Sequence, residues 1–170
     1  MSDPTRTIVF DTCVLINFIH VERLDLLAAL PGTACVVTDH VRGEITDDYP
    51  EQVALFLDAT ERGLIELLRV DAPEELQMFA DLECSGLGIG ERSAFVAGFH
   101  RGFTVAIDDR RAIRIVSRAL GTMPIVGTEG IMRRLIAAGS ISVMEADALK
   151  LRWETDHKFT LSFKSFGDQE

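Results

Sequence analysis

Residues 8–19 read IVFDTCVLINFI: a short apolar run, one acidic residue, then a longer and mostly apolar stretch. Ile8-Val9-Phe10 has the character of a strand buried on both faces, and the residues after Asp11 predict a helix over about 13–29. The same order recurs downstream. Thr104-Val105-Ala106-Ile107 reads as a buried strand, Asp108-Asp109 follow it directly, and a helical pattern fills 110–120. The β-branched Cys35-Val36-Val37-Thr38 gives a third strand, with Leu64–Leu68 and Pro124–Val126 as weaker candidates. Helical patterns lie near 40–47, 51–62, 74–84, 90–101, 129–138 and 143–156, with Gly and Pro supplying the breaks. Strands alternating with helices imply an α/β domain of three layers, with helices on both faces of a central, mainly parallel sheet.

A chain of 170 residues has the size of one domain, here expected over 1–157. After Trp153, Phe159, Leu161 and Phe163 alternate with Lys158, Thr160, Ser162 and Lys164. That alternation predicts a half-buried terminal strand, with 158–170 packing on the domain or on a partner subunit. At 47% apolar and 26% charged the composition is that of a globular protein, and no apolar run is long enough to span a membrane. The start MSDPTRTIVFD has no secretory pattern, so a cytoplasmic location is expected. Cys13, Cys35 and Cys84 suit neither a disulfide framework nor a zinc site and read as mostly buried thiols. The net charge of -10 opposes phosphate binding as a sum. A nucleic-acid site in this chain needs its carboxylates gathered where metal can neutralise them and its arginines gathered where phosphates lie.

Asp11 and the Asp108-Asp109 pair fall at carboxyl ends of strands, the side of an open α/β sheet where ligands bind. For either Asp11 or Asp109 alone, helix N-capping is the plainer reading, and one of the adjacent pair can cap while the other faces a site. Glu44, in VTDHVRGEI, shares a helical stripe with Val41 and Ile45; Glu91, in GLGIGERSAFVAG, shares one with Ala94, Phe95 and Gly98. Each Glu alone could be a stripe edge or a first-turn charge. A carboxylate facing an apolar interior, however, carries a desolvation cost unless it is paired or binds metal.

Four segments in this order, IVFDTCVLINFI, VTDHVRGEI, GIGERSAFVAG and IDDRRAIRI, resemble the PIN domain. The next segment, MPIVGTEGIMRRLIAAGSI, is similar to the Gly-Thr-x-Gly helix and Ala-Gly-x-Ile end of a prokaryotic PIN subgroup related to VapC-like toxins, so the resemblance covers 7 to about 145. It implies a PIN-like fold in which Asp11, Glu44, Glu91 and the Asp before Arg110 bind Mg²⁺ or Mn²⁺. That last match gives Asp109, with Asp108 close behind. Where this chain has Glu91 the family often has Asp, although its Gly-Glu subgroup has Glu. The implied activity is a metal-dependent endoribonuclease, the toxin of a type II toxin–antitoxin pair, with RNA as substrate and an antitoxin as partner. A homodimer is expected mainly because Phe159, Leu161 and Phe163 need cover, and also because the family commonly pairs and the acidic total leaves too few arginines in one subunit. The chemistry is coherent: carboxylates about 4 Å apart repel by about 1 kcal/mol per pair in water and about 4 at an effective dielectric of about 20. A divalent cation relieves this, and an all-oxygen donor set suits Mg²⁺ or Mn²⁺.

Arg110, Arg114 and Arg118 recur every four residues beside Arg111, a stripe fit for a phosphate track at Arg110, Arg111 and Arg114 and for a solvated face at Arg118. The resemblance puts Thr12 beside the metal; Thr128, in GTEG, reads first as an N-cap and second as a site residue. His20, His40, His100 and His157 lack zinc spacing, GLGIG lacks the dinucleotide order, and Trp153 with the Phe-rich tail reads as packing. Two other functions fit less well. An aspartyl-phosphate phosphoryl-transfer domain wants a well-placed lysine, and the lysines are only Lys150, Lys158 and Lys164. A PIN-like binding module without catalysis has no need of four intact carboxylates.

Overall fold

A computed structural model describes residues 6–168, so residues 1–5 of the expected 1–157 domain and residues 169–170 of the expected tail lie outside the described residues. Five strands alternate with helices: β1 (Arg6–Phe10), β2 (Thr33–Thr38), β3 (Glu66–Leu68), β4 (Thr104–Ala106) and β5 (Ile125–Val126). Every pairing is parallel and the order is β3-β2-β1-β4-β5. Thus β1 is central, with Phe10 beside Val37 of β2 on one side and Ala106 of β4 on the other.

The inner parts of the central strands are apolar because both sheet faces are covered, while the edge strand β3 leaves Glu66 and Leu67 exposed. Ile8, Phe10, Cys35 and Val37 face one core, completed by α1 (Thr12–His20), α4 (Pro50–Glu61), α8 (Thr128–Ala137) and α9 (Val143–Asp156). Val9, Val36 and Val105 face the other, completed by α6 (Ile89–Arg101) and α7 (Arg110–Leu120), with α5 (Pro73–Asp81) at its margin. This is a three-layer α/β/α fold. No helix among the described residues is long and apolar enough to cross a membrane.

Three local expectations are corrected. The helix expected over 13–29 is two, α1 and α2 (Asp25–Ala28), because Glu22 takes a positive φ of 58° and turns the chain. Val21, Leu24, Leu26 and Leu27 are all buried, so the apolar spacing runs on across a break that no Gly or Pro marks. The helix expected over 40–47 is α3 (Asp39–Glu44), and it stops at Glu44, which is exposed rather than on a buried stripe. Residues 158–168 form no strand. Lys158 turns with φ 56°, and Phe159 N–H donates to Trp153 O at 3.0 Å, laying the tail against the helical layer rather than beside a sheet edge. Phe159, Leu161 and Phe163 find cover on the chain's own first core.

Candidate active site

The sheet order puts a topological switch point between β1 and β4: the chain runs from β1 out to β3, then returns to β4 on the other side. Helices leaving neighbouring strands to opposite faces open a crevice there. Asp11 follows β1 and Asp108-Asp109 follow β4 at that point, and Asp11 N–H donates to Ala106 O at 2.9 Å, stitching the two strand ends together.

Asp11 is the N-cap of α1, its carboxylate accepting Cys13 N–H at 3.2 Å while only 3% exposed. Burial, reinforced by the charge of Glu44, pushes this carboxyl above the usual range. Thr12 opens α1, and its hydroxyl donates to Glu44 Oε2. Glu44 Oε1 accepts Gly90 N–H at 3.0 Å, and a Cβ at position 90 would stand 2.5 Å from Glu44 Oε2, so glycine is what lets α6 approach this carboxylate. Glu91, in the first turn of α6, accepts Gly88 N–H at 2.8 Å. Its pKa too is raised, first by burial and then by Asp11 and Asp109, with Arg111 opposing. A buried hydroxyl pair, Thr38 and Ser93 at 2.6 Å, fixes α6 to the start of α3 and so sets the Glu44–Gly90 approach.

Asp109 is the N-cap of α7, its Oδ1 accepting Arg111 N–H at 2.7 Å and Ala112 N–H at 3.0 Å. Asp108 points elsewhere. Its Oδ1 accepts Thr128 N–H at 2.9 Å, and its Oδ2 accepts the Thr128 hydroxyl at 2.6 Å and the Asn17 amide at 3.3 Å. Gly127, not Thr128, is therefore the N-cap of α8; Thr128 is fully buried and aimed at Asp108. Asn17 was missed by the sequence reading, although a lone amide within VLINFI, buried among Val14, Leu15 and Phe18, is the signal that marks it.

The structure thus brings Asp11 within electrostatic reach of Glu44 and of Glu91, and Glu91 within reach of Asp109, at one end of the sheet. Among the described residues no three Asp, Glu, His or Cys side chains form a ready-made cation cage; each carboxylate instead accepts from a nearby N–H or O–H. The donor set nevertheless fits a hard divalent cation: all oxygen, crowded with like charge, and with Glu91 Oε1 and Asp109 Oδ2 receiving no donor among the described residues. Arg111 packs its guanidinium over Gly86, and its charge acts on Glu91. Arg110, Arg114 and Arg118 lie on the exposed face of α7.

The remaining candidates are structural. Cys35 is buried, Cys13 half-buried and Cys84 exposed, all unpaired, which corrects the expectation for Cys84. His20 stacks on His157 at 3.9 Å, His40 lies tilted against Phe79 at 4.7 Å, and Trp153 is fully buried.

Sheet order, switch point and acidic strand ends define a three-layer α/β protein with its crevice at the carboxyl end of the sheet. A family model described as PIN domain matches residues 7–153, and the chain belongs to that family. PIN domains are generally nuclease modules that use divalent metal ions. Among solved structures, the crystal structure of PAE2754 from Pyrobaculum aerophilum is similar, at 16% identity and a TM-score of 0.47, over 80% of this chain and 98% of that one. No curated protein matches.

Proposed function

We propose that this chain is a Mg²⁺- or Mn²⁺-dependent endoribonuclease and the toxin half of a type II toxin–antitoxin pair. One observation supports the nuclease reading: around the switch point the charge of Glu44 acts on Asp11, and those of Asp11 and Asp109 act on Glu91. Asp11, fixed by its cap bond and burial, anchors the set; Thr12 orients Glu44; Glu91 and Asp109 close it from α6 and α7. When bound, the cation supplies the positive charge that relieves their repulsion and activates water toward phosphorus. Arg111, with Arg110 and Arg114 on the exposed helix face, supplies phosphate contacts that track the RNA backbone past the carboxylates. The RNA substrate and the antitoxin rest on the resemblance of residues 123–141 to the VapC-related subgroup.

The test is a mixed-sequence single-stranded RNA incubated with purified protein and Mn²⁺. Internal cleavage is expected, and none with chelator or with Asp11→Asn. Metal-saturated protein that binds the RNA and leaves it intact points instead to the binding module. Growth arrest on expression of the wild type but not of Asp11→Asn, relieved by the product of an adjoining gene, tests the toxin role. Two copies would pool their arginines across one groove, and light scattering should then give about twice the 18.8 kDa chain mass. A monomer at tens of micromolar overturns that pairing.

A further inference from the structure

Behind the carboxylates lies a polar cluster at the edge of the core. Asn17 is 5% exposed and Thr128 fully buried, and the Asn17 amide donates to Thr128 Oγ1 at 3.1 Å as well as to Asp108. Around it, Asp108 N–H donates to Cys13 Sγ at 3.3 Å, and the Trp153 indole N–H donates to Asn17 O at 2.7 Å. A Cβ at Gly127 would stand 2.5 Å from Asp108 Oδ1. The cluster therefore ties α1, α8 and α9 to the loop after β4. Capping α8 needs only the bond from Thr128 N–H to Oδ1. The Thr128 hydroxyl and the Asn17 amide instead fill Oδ2, an oxygen that capping leaves free. With two donors on Oδ2 and one on Oδ1, Asp108 has little to offer a cation, and those donors present positive charge to any that approached. Asp109 is the reverse: Oδ1 holds two backbone N–H groups and Oδ2 holds none among the described residues.

We propose that Asp108 is a positioning residue rather than a metal ligand, clamped by Asn17 and Thr128 so that the adjacent Asp109 presents Oδ2 to the cation. The proposal rests on the metal-dependent reading above. Groups hydrogen-bonded directly to a ligand change metal affinity by about 10- to 100-fold when removed, and a clamp acting through the adjacent residue falls at the lower end of that range.

Calorimetric Mn²⁺ binding to the full chain, paired with melting in chelator, tests it. Asp109→Asn should abolish binding. Thr128→Val and Asn17→Leu should weaken it by about tenfold. Thr128→Ser, which loses a buried methyl but keeps the hydroxyl, should melt lower yet bind as the wild type does. Asp108→Asn combined with Thr128→Val should bind no more weakly than Asp108→Asn alone, because the two act as one unit. Wild-type affinity in folded Thr128→Val and Asn17→Leu overturns the proposal. So does Asp108→Asn abolishing binding as completely as Asp109→Asn. A wild-type protein that binds no Mn²⁺ removes the metal reading itself, and this inference with it.

Discussion

Asp11 does two jobs that pull against each other. As N-cap it stabilises α1, yet its ionised form is disfavoured by burial and by Glu44. A carboxyl whose folded pKa is raised contributes stability that is full below its unfolded pKa and is lost as pH rises through the folded value. At neutral pH the metal-free protein therefore carries a charge that its fold opposes. Asn caps as well as Asp and has no charge. Asp11→Asn should abolish cleavage while raising the melting temperature in chelator, a trade of stability for function; a lower metal-free melting temperature would refute this account. Gly90 makes a second residue-scale case. The obstacle to a Cβ there is the mobile end of Glu44, so Gly90→Ala should change stability by less than about 1 kcal/mol. It should nevertheless displace Glu44 and weaken Mn²⁺ binding, and unchanged affinity in calorimetry would count against Glu44 as a ligand.

At the scale of elements, α6 is the part that must not move, since it carries Glu91 and Gly90. Its far end is tied to α5 by Arg101, whose guanidinium donates to the buried Glu75 carboxylate at 2.6 and 2.9 Å. Glu75 is also the first-turn acceptor for Asp71 and Ala72 N–H. The Arg101 bonds, ahead of the cost of burial, hold its pKa below the ordinary carboxylate range. A depressed folded pKa contributes stability above the unfolded value that is lost as pH falls through the folded one. Glu75→Gln should therefore cost about 2 kcal/mol at neutral pH. The gap from wild type should close in acid below the ordinary carboxylate range; a gap that persists there would show the loss is packing and not charge.

For the whole molecule, the tail is one staple, and the proposed cation would be a second, separate one. Phe163 lies under the Arg133 and Lys150 cations at 5.0 and 5.6 Å, and Asp147 accepts both the Ser165 hydroxyl at 2.6 Å and Phe166 N–H at 2.8 Å. Removing residues 158–170 uncovers the Trp153 side of the core and should cost about 3 kcal/mol or more in denaturant melts. Because the aromatic residues cover this chain's own core, the mass in solution should not change with the deletion; a change would restore the tail to an interface. Saturating Mn²⁺ should raise the melting temperature, by the equivalent of about 2.7 kcal/mol at about 100 times its dissociation constant. Melting unaffected by the ion would weigh against a metal centre in the native state.

The sequence by itself determined the alternation of strands and helices, the coverage of both sheet faces, and the acidic residues at strand ends. Each is a local pattern: apolar runs such as Ile8-Val9-Phe10 can be buried only one way, and an Asp directly after such a run has no choice of end. What only the tertiary structure decided is relational. The chain turns at Glu22 although the apolar spacing runs on, and α3 ends at Glu44, leaving that carboxylate exposed and bonded to Thr12 and Gly90 from distant segments. The tail alternates like a strand yet packs against helices, because alternation specifies a covered face and not what covers it. Asp108 and Asp109, adjacent and chemically identical, are told apart by partners at positions 17 and 128, far along the chain. Period and composition record which residues must be buried; which distant donor reaches which oxygen is set only when the strand order brings their elements together.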